Sequence, residues 1–184
     1  MTEQKVLELT KQLDFRAAQF IDTEAIVFEP SFRKFCEDNV CRQYAVTDTC
    51  PPGCGTTAEM EERIRAYDRA LVVQTRWPIT DYSDTAAIKA AKRTHNQAML
   101  KLIDAIGIRG VMAGASNCSI CDPCRQIAGD ACPFPEKKFS CMSAYCIYVK
   151  ALAERCAMEY FCEDGSMALF GLYAFRKEEL EKAE

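Results

Sequence analysis

The stretch SDTAAIKAAKRTHNQAMLKLIDAIGIRGVMAGASNCSICDPC, residues 83–124, joins a helical pattern, a short apolar segment and a cysteine run. Apolar and small residues recur at steps of three and four in its first half, which predicts an amphipathic helix over residues 83–106. Gly107 is a suitable helix end, and the apolar segment at 109–113 predicts a strand. The stretch therefore indicates a domain that combines helices with a sheet.

The rest of the chain predicts shorter elements of both kinds, separated by segments rich in proline and glycine. The predicted helices cover residues 3–13, 57–67 (with Thr57 as the N-cap) and 140–156. The predicted strands cover residues 24–28, 69–74 and 166–176. Together they predict one α/β or α+β domain over residues 1–184, with a central sheet of about four strands flanked by helices and two cysteine-rich loops.

Composition narrows the classes of partner. Apolar residues make up 49% of the 184 residues, charged residues 27%, and the net charge is −4. Neither a basic stretch nor a basic face is present, so we expect no nucleic-acid partner. No run reaches the roughly 18 apolar residues of a membrane span, so we expect no membrane partner either. The N-terminus lacks the apolar segment of a signal peptide, which predicts a cytoplasmic protein.

The cysteines are numerous and unevenly distributed. There are 12 of them, and residues 55–117 contain none. In a reducing cytoplasm disulfides are disfavoured, and clustered thiols more often hold metal. The spacing therefore directs attention to two segments: a first cysteine loop at residues 36–55 and a second at residues 114–139.

The second cysteine loop carries the strongest pattern. Two residues separate Cys118 from Cys121 and Cys121 from Cys124, and Cys132 follows with a proline behind it. One turning loop can aim three such thiolates at three corners of an iron–sulfur cube, and bacterial ferredoxins use the same triplet with a later Cys-Pro. The last gap here is seven residues rather than three. Zinc is the alternative, although structural zinc more often uses two separate ligand pairs.

The first cysteine loop offers Cys36, Cys41 and Cys50, the last followed by two prolines. Three thiolates are one short of a closed site, and a four-iron cluster so held keeps one iron open as a Lewis acid. Cys54 can instead supply a fourth ligand and close the site. Exchange of ligands between the two loops is also conceivable, because Cys50 and Cys132 both precede proline.

The remaining candidates have less specific interpretations. Buried cysteine behaves as a small hydrophobe, so core packing is expected for Cys141, Cys146, Cys156 and Cys162. His95 falls in the apolar stripe of its helix and is expected to be buried, and Trp77 is expected to be a core or wall residue. Cationic residues near the loops can offset cluster charge or lie simply on the surface; they are Arg42, Arg125, Lys137 and Lys138.

With these motifs in view, the chain resembles a family of small cysteine-rich predicted metal-binding proteins of unknown function from bacteria and archaea. The resemblance covers residues 32–175. It rests on CEDNVCRQYAVTDTCPP, RALVVQ, AGASNCSICDPC and CPFPEKKFS, which begin at residues 36, 69, 113 and 132. It implies metal binding and no particular reaction, and seven cysteines match the family's positions: Cys36, Cys41, Cys50, Cys118, Cys121, Cys124 and Cys132.

The chain also departs from that family. After Ser140 the family tends to carry a glutamate and then a glycine, whereas Ser143 and Cys146 occupy those places here, and Cys54 is an addition. The sequence thus predicts an iron–sulfur protein with one or two [4Fe-4S] clusters on the seven matching cysteines. As an electron carrier, the protein is expected to have a redox protein as its partner. As an oxidoreductase, it is expected to reduce a small molecule at an open iron. A zinc-binding structural or interaction module and a metal or sulfur trafficking protein are the alternatives.

Overall fold

A five-stranded mixed sheet organises the molecule. The computed structural model describes residues 1–183. The strands are β1 (Ala17–Asp22), β2 (Arg69–Trp77), β3 (Gly110–Gly114), β4 (Ser140–Cys141) and β5 (Met167–Phe175). Their order in the sheet is β1-β2-β5-β3-β4. All neighbouring strands are antiparallel except β3 and β4, which are parallel. The predicted fold class is confirmed in its α+β form.

Six α-helices accompany the sheet in the described residues. They are α1 (Glu3–Gln12), α2 (Arg33–Glu37), α3 (Thr57–Arg65), α4 (Thr85–Ile106), α5 (Val149–Arg155) and α6 (Lys177–Lys182). The N-cap of α3 is Thr56 rather than the predicted Thr57. Its side chain and that of Glu59 form a capping box, which satisfies two backbone N–H groups at the helix start.

The core lies on both faces of the sheet. Leu71 and Val73 of β2 pack with α1 and α4 on one face, and Ala70 and Val72 pack with α3 and α5 on the other. This alternation follows from the two-residue period of a strand. Because helices cover both faces, β2 is buried from residue 70 to residue 75.

Helix α4 lies very close to β5. A Cβ built on Gly171 would come within 2.8 Å of His95 Nε2 and 2.9 Å of Met99 Sδ. His95 is fully buried, and its Nδ1 lies 2.7 Å from the Thr75 hydroxyl oxygen. Thr75 also accepts a hydrogen bond from Trp77 Nε1 at 2.9 Å, so its own hydroxyl proton is free for the histidine. His95 is thus a core residue, as predicted, although Nε2 finds no partner within residues 1–183.

Two predicted elements are wrong. The strand expected at residues 24–28 does not form there. The strand in this part of the chain is β1, which ends at Asp22. Residues Thr23–Ala25 form a 3-10 turn, and Arg65 of α3 donates hydrogen bonds to the carbonyls of Thr23 and Ile26. Because these two carbonyls accept hydrogen bonds from Arg65, they do not pair with a neighbouring strand.

The helix expected at 140–156 is a two-residue strand, a turn and the short α5. Ser140 pairs with Ala113 across the sheet, and Cys146 has a φ of 55°. That backbone conformation is incompatible with a right-handed helix.

Burial lowers the pKa of His95 to about 4. Because the unfolded chain binds a proton near the ordinary value of 6.5 and the native state does not, stability falls as the pH falls from 6.5 toward 4. We expect the free energy of unfolding to drop by about 1 kcal/mol between pH 7.5 and pH 6. Urea titrations at both values measure this. His95→Gln, which removes the only histidine, should flatten the dependence; an unchanged slope in that variant contradicts the assignment.

Candidate metal centres

The first cysteine loop begins on a helix and continues through strained backbone. Cys36 lies on α2. The backbone carbonyl of Cys50 accepts the backbone N–H of Cys54 at 3.0 Å, which makes one turn of that segment. Between them the φ angles of Asn39, Arg42 and Ala45 are 52°, 59° and 59°. Non-glycine residues rarely adopt such angles. Where they do, the strained positions are often found at functional sites. The first cysteine loop is therefore a candidate functional segment as well as the connection between α2 and α3.

Neighbouring thiols raise the pKa values of cysteines in the first cysteine loop. Burial first, and then the thiol of Cys141, raises the pKa of Cys36 to about 11. The same two causes raise the pKa of Cys50 to about 12. Cys41, which is exposed, acts on both. Closely spaced thiols resist ionisation in the absence of a cation, and a bound metal removes that penalty because it takes the thiolate form.

Cys141 is a residue that the sequence analysis placed in the core. It lies on β4, partly exposed. Its Sγ accepts a hydrogen bond from the backbone N–H of Ala144 at 3.3 Å. No local signal marks its position, because β4 forms only through its pairing with Ala113 and Gly114. The structure therefore adds Cys141 to the surroundings of the first cysteine loop.

Arg33 connects three segments beside these thiols. Its Nη1 lies 3.8 Å from Cys54 Sγ, and its Nη2 donates to the carbonyl of Ala144 at 3.0 Å. Burial opposes its charge, yet the pKa of Arg33 is raised because Cys54 and Cys146 interact with the guanidinium. A cation in this position balances the negative charge of neighbouring thiolates.

The second cysteine loop contains four partly exposed cysteines: Cys118, Cys121, Cys124 and Cys132. Burial raises the pKa of Cys118, and Cys124 and Cys132 add to the effect. Backbone N–H groups of Ile120 and Phe139 act in the opposite direction on the same sulfur. Backbone N–H donors to a sulfur stabilise its thiolate, the form that binds metal.

Helix α4 holds the second cysteine loop at its start. Asn96 is fully buried. Its Oδ1 accepts the backbone N–H of Ala115 at 2.9 Å, and its Nδ2 donates to Ser116 Oγ at 2.9 Å. Arg93, on the same helix, forms an ion pair with Asp122. Both contacts fix the loop to the body of the protein.

The two cysteine loops contact each other. Asn117 Nδ2 donates to Gln43 Oε1 at 3.2 Å, and the backbone N–H of Asp48 donates to Gln126 Oε1 at 3.3 Å. Lys138 forms an ion pair with Asp48. The thiols of residues 36–54 and those of residues 118–132 therefore lie in adjoining segments.

The predicted cationic residues are mostly paired with carboxylates. Lys138 pairs with Asp48, Lys137 with Asp104 and Arg125 with Asp130, while Arg42 is exposed. These pairs connect the loops to one another and to α4.

Two cavities lie outside the thiol groups. One, of about 340 Å³, is lined by loop residues such as Asp48, Gly53 and Gln126. A larger one, of about 650 Å³, lies between α1 and α6. No cysteine lines either cavity in the described part of the chain.

The other cysteines divide between core and surface. Cys156 packs in the core, as predicted, and burial raises its pKa to about 11. Cys162 is partly exposed in the segment before β5. All twelve cysteines are unpaired in residues 1–183. Within these residues no three cysteine, histidine or carboxylate side chains are placed to hold one metal ion. A four-iron cluster makes a different demand, because each iron binds a separate thiolate.

An α+β domain with two adjoining cysteine loops defines a class of cysteine-rich proteins whose clustered thiols suit metal binding. The chain belongs to the family described as predicted metal-binding protein (DUF2284), whose model matches residues 19–173. This confirms the resemblance noted from the cysteine motifs. No curated protein and no solved structure matches the chain. None of the helices in residues 1–183 has the length and apolar character needed to cross a membrane.

Replacing Asn96 by alanine should loosen the second cysteine loop. The change removes an acceptor from the N–H of Ala115 and a donor from Ser116, at a cost of about 1–3 kcal/mol. We expect a lower free energy of unfolding in urea and faster alkylation of Cys118. Gln97→Ala, on the exposed side of the same helix, is the matched control. Equal behaviour of the two variants would show that Asn96 does not hold the loop.

Proposed function

We propose that this protein binds two [4Fe-4S] clusters, one at each cysteine loop, and passes electrons between them and a redox partner protein. The observation that carries the proposal is the contact between the two loops through Asn117 with Gln43 and Gln126 with Asp48. Contact between the two thiol-rich segments supports two redox centres that lie side by side. Short separation is what an electron relay requires.

The second cysteine loop supplies the ligand set for one cluster. The spacing Cys118-x2-Cys121-x2-Cys124 with a later Cys132-Pro133 has the pattern of cluster-binding loops. Backbone N–H donors at Cys118 support this, because hydrogen bonds to the sulfurs set the reduction potential of such clusters. The assignment of ligands remains a prediction from spacing and proximity.

Iron–sulfur chemistry fits the donors better than zinc does. A tetrahedral zinc site draws four sulfurs to about 2.3 Å from a single ion. The run of Cys118, Cys121 and Cys124 instead suits a four-iron cube, which takes one thiolate at each iron. Zinc binding by rearranged loops is the alternative that the experiment below distinguishes.

Electron transfer is favoured over reduction of a small molecule at an open iron. The cavity of about 340 Å³ beside the first cysteine loop has no cysteine in its wall. By contrast, Phe35, Val40 and Ile127 are exposed to 66%, 87% and 58%. Exposed apolar side chains beside the thiols suit the transient contact of a redox partner.

Anaerobic purification with iron and acid-labile sulfide analysis tests the proposal. We expect about eight irons and eight sulfides per chain, and a brown protein whose colour bleaches on reduction. Cys118→Ala should lower both to about half, because one cluster is lost. Cys162→Ala, at a cysteine outside both loops, should leave them unchanged.

A colourless protein with zinc and no sulfide overturns the proposal in favour of a structural zinc module. A cluster that transfers readily to an apoprotein acceptor and does not survive redox cycling would indicate a trafficking protein instead. A cluster retained over repeated cycles supports the electron carrier.

A further inference from the structure

Phe161 is a large apolar side chain that points into solvent from a fixed support. It is 76% exposed and lies in residues 159–165, the segment between α5 and β5 that we call the aromatic loop. Its ring stands at 86° to that of Tyr160, with 4.8 Å between the two centroids. The Tyr160 ring in turn stacks on Phe170 of β5 at 6.1 Å, and Phe170 belongs to the core. Phe161 is therefore held in place although it is exposed.

The aromatic loop is attached to β2 at both of its ends. Gln74, which is buried, donates a hydrogen bond from Nε2 to the carbonyl of Glu159 at 2.7 Å. Arg76 donates to Glu159 Oε2 at 3.1 Å and to Asp164 Oδ1 at 2.8 Å. Its Nε also donates to Ser166 Oγ at 2.7 Å. A loop that is already ordered in the free protein loses little conformational entropy when a partner binds.

The surface around Phe161 is negatively charged. Residues 78–84 lie beside the aromatic loop, since a Cβ on Gly165 would come within 3.8 Å of Thr80 Cγ2. The two stretches contain five carboxylates and no lysine or arginine. All five are exposed, and they are Asp81, Asp84, Glu159, Glu163 and Asp164. The single guanidinium of Arg76 cannot balance five carboxylates, so the complementary surface is a basic one.

Resting on the proposed function, we propose that the aromatic loop is the docking site of the redox partner, and that this partner is a protein with a basic rim around an apolar pocket. Phe161 fills the pocket, because a central aromatic side chain supplies a large share of the binding free energy of an interface. The carboxylates attract the basic rim and orient the encounter, which raises the rate of association at low salt.

Charge distinguishes the basic partner from other occupants and this surface from another. Two copies of the chain that met through their aromatic loops would bring like charges together, at a cost in free energy. Phe35 is the competing apolar contact for the partner, with 66% exposure. Residues 33–38 around it hold two cationic and two anionic side chains, and Lys34 pairs with Asp38 at 3.2 Å. That surface has no net charge that would select a basic partner.

The docking site shares its packing with the second cysteine loop. Ile79, in residues 78–84, and Ala115, in the second cysteine loop, pack against the same apolar cluster. That cluster consists of Ala91, Met167 and Leu169. Because of this shared support, we expect the cluster held by the second cysteine loop to be the one that exchanges electrons with the docked partner.

Calorimetric titration with cytochrome c, a small electron acceptor with a basic surface, tests the docking site with both proteins oxidised. We expect binding at about 20 mM salt that weakens at least about tenfold at about 300 mM, because salt screens the attraction. Phe161→Ser should weaken binding at least about fivefold, the loss expected of a central aromatic contact. Glu163→Lys should weaken binding at low salt and reduce its dependence on salt.

Val27→Ser and Glu62→Lys are the matched controls. Val27 is 49% exposed and Glu62 is exposed on α3, and both lie outside the aromatic loop and residues 78–84. Both variants should bind cytochrome c as the wild type does, and Phe35→Ser should weaken binding less than Phe161→Ser. Equal binding by Phe161→Ser and the wild type, or a larger loss in Phe35→Ser, overturns the proposal. A wild-type dimer that Phe161→Ser dissociates also overturns it, because the occupant is then a second copy.

Stopped-flow mixing with ferric cytochrome c separates the docking site from the proposed function. The cluster-loaded protein is first reduced with dithionite and freed of excess reductant. One electron then passes from a reduced cluster to the haem iron, which becomes ferrous, and the cluster returns to its oxidised state. The second-order rate constant should fall at least about fivefold in Phe161→Ser, with unchanged iron and sulfide content. An unchanged rate constant in that variant overturns the docking site while the electron carrier stands. Wild-type binding without any reduction of the haem overturns the proposed function and leaves the docking site standing.

Discussion

The parallel pairing of β3 with β4 is the contact on which the arrangement of cysteines depends. It consists of only two registered pairs, Ala113 with Ser140 and Gly114 with Cys141. This short pairing closes residues 115–139 into a loop and turns the chain back beside its own start. A Cβ on Gly114 would lie 2.7 Å from both Asn96 Oδ1 and Phe139. The absence of a side chain at this position lets helix, loop and strand meet.

Helix α4 contacts both the sheet and the second cysteine loop near the pairing of β3 with β4. The buried face of α4 packs against β5 through His95 and Met99, while Asn96 on the next position holds the beginning of the second cysteine loop. One helix therefore supports both the core and the site. Rigid support matters because cluster ligands must be held in place before the metal arrives. The first cysteine loop obtains its support differently, from strained backbone and from Arg33.

Much of this architecture could be predicted from the sequence. The long periodic helix α4 and the central strands β2 and β5 have strong local patterns, and each was predicted to within a few residues of its observed bounds. The two cysteine loops were visible from spacing. These features depend on local periodicity and composition, which a single sequence records.

The parts that escaped prediction depend on contacts between distant residues. Strand β4 is two residues long and exists only because Ala113 lies beside it. Without β4 in the prediction, Cys141 was assigned to the core. The position of strand β1 was predicted wrongly because Arg65, some 40 residues away, donates hydrogen bonds to carbonyls of the segment that was predicted to be the strand. Proximity of Cys141 to the first cysteine loop likewise has no local signal.

The central claim is that thiols from two distant stretches hold two neighbouring iron–sulfur clusters. EPR spectroscopy of the fully reduced protein tests it most directly, because paramagnetic centres that lie close together broaden and split each other's signals. The account predicts a spectrum with magnetic interaction between two clusters. Two independent, unperturbed signals would contradict the adjacency, and the absence of any cluster signal would contradict the claim as a whole.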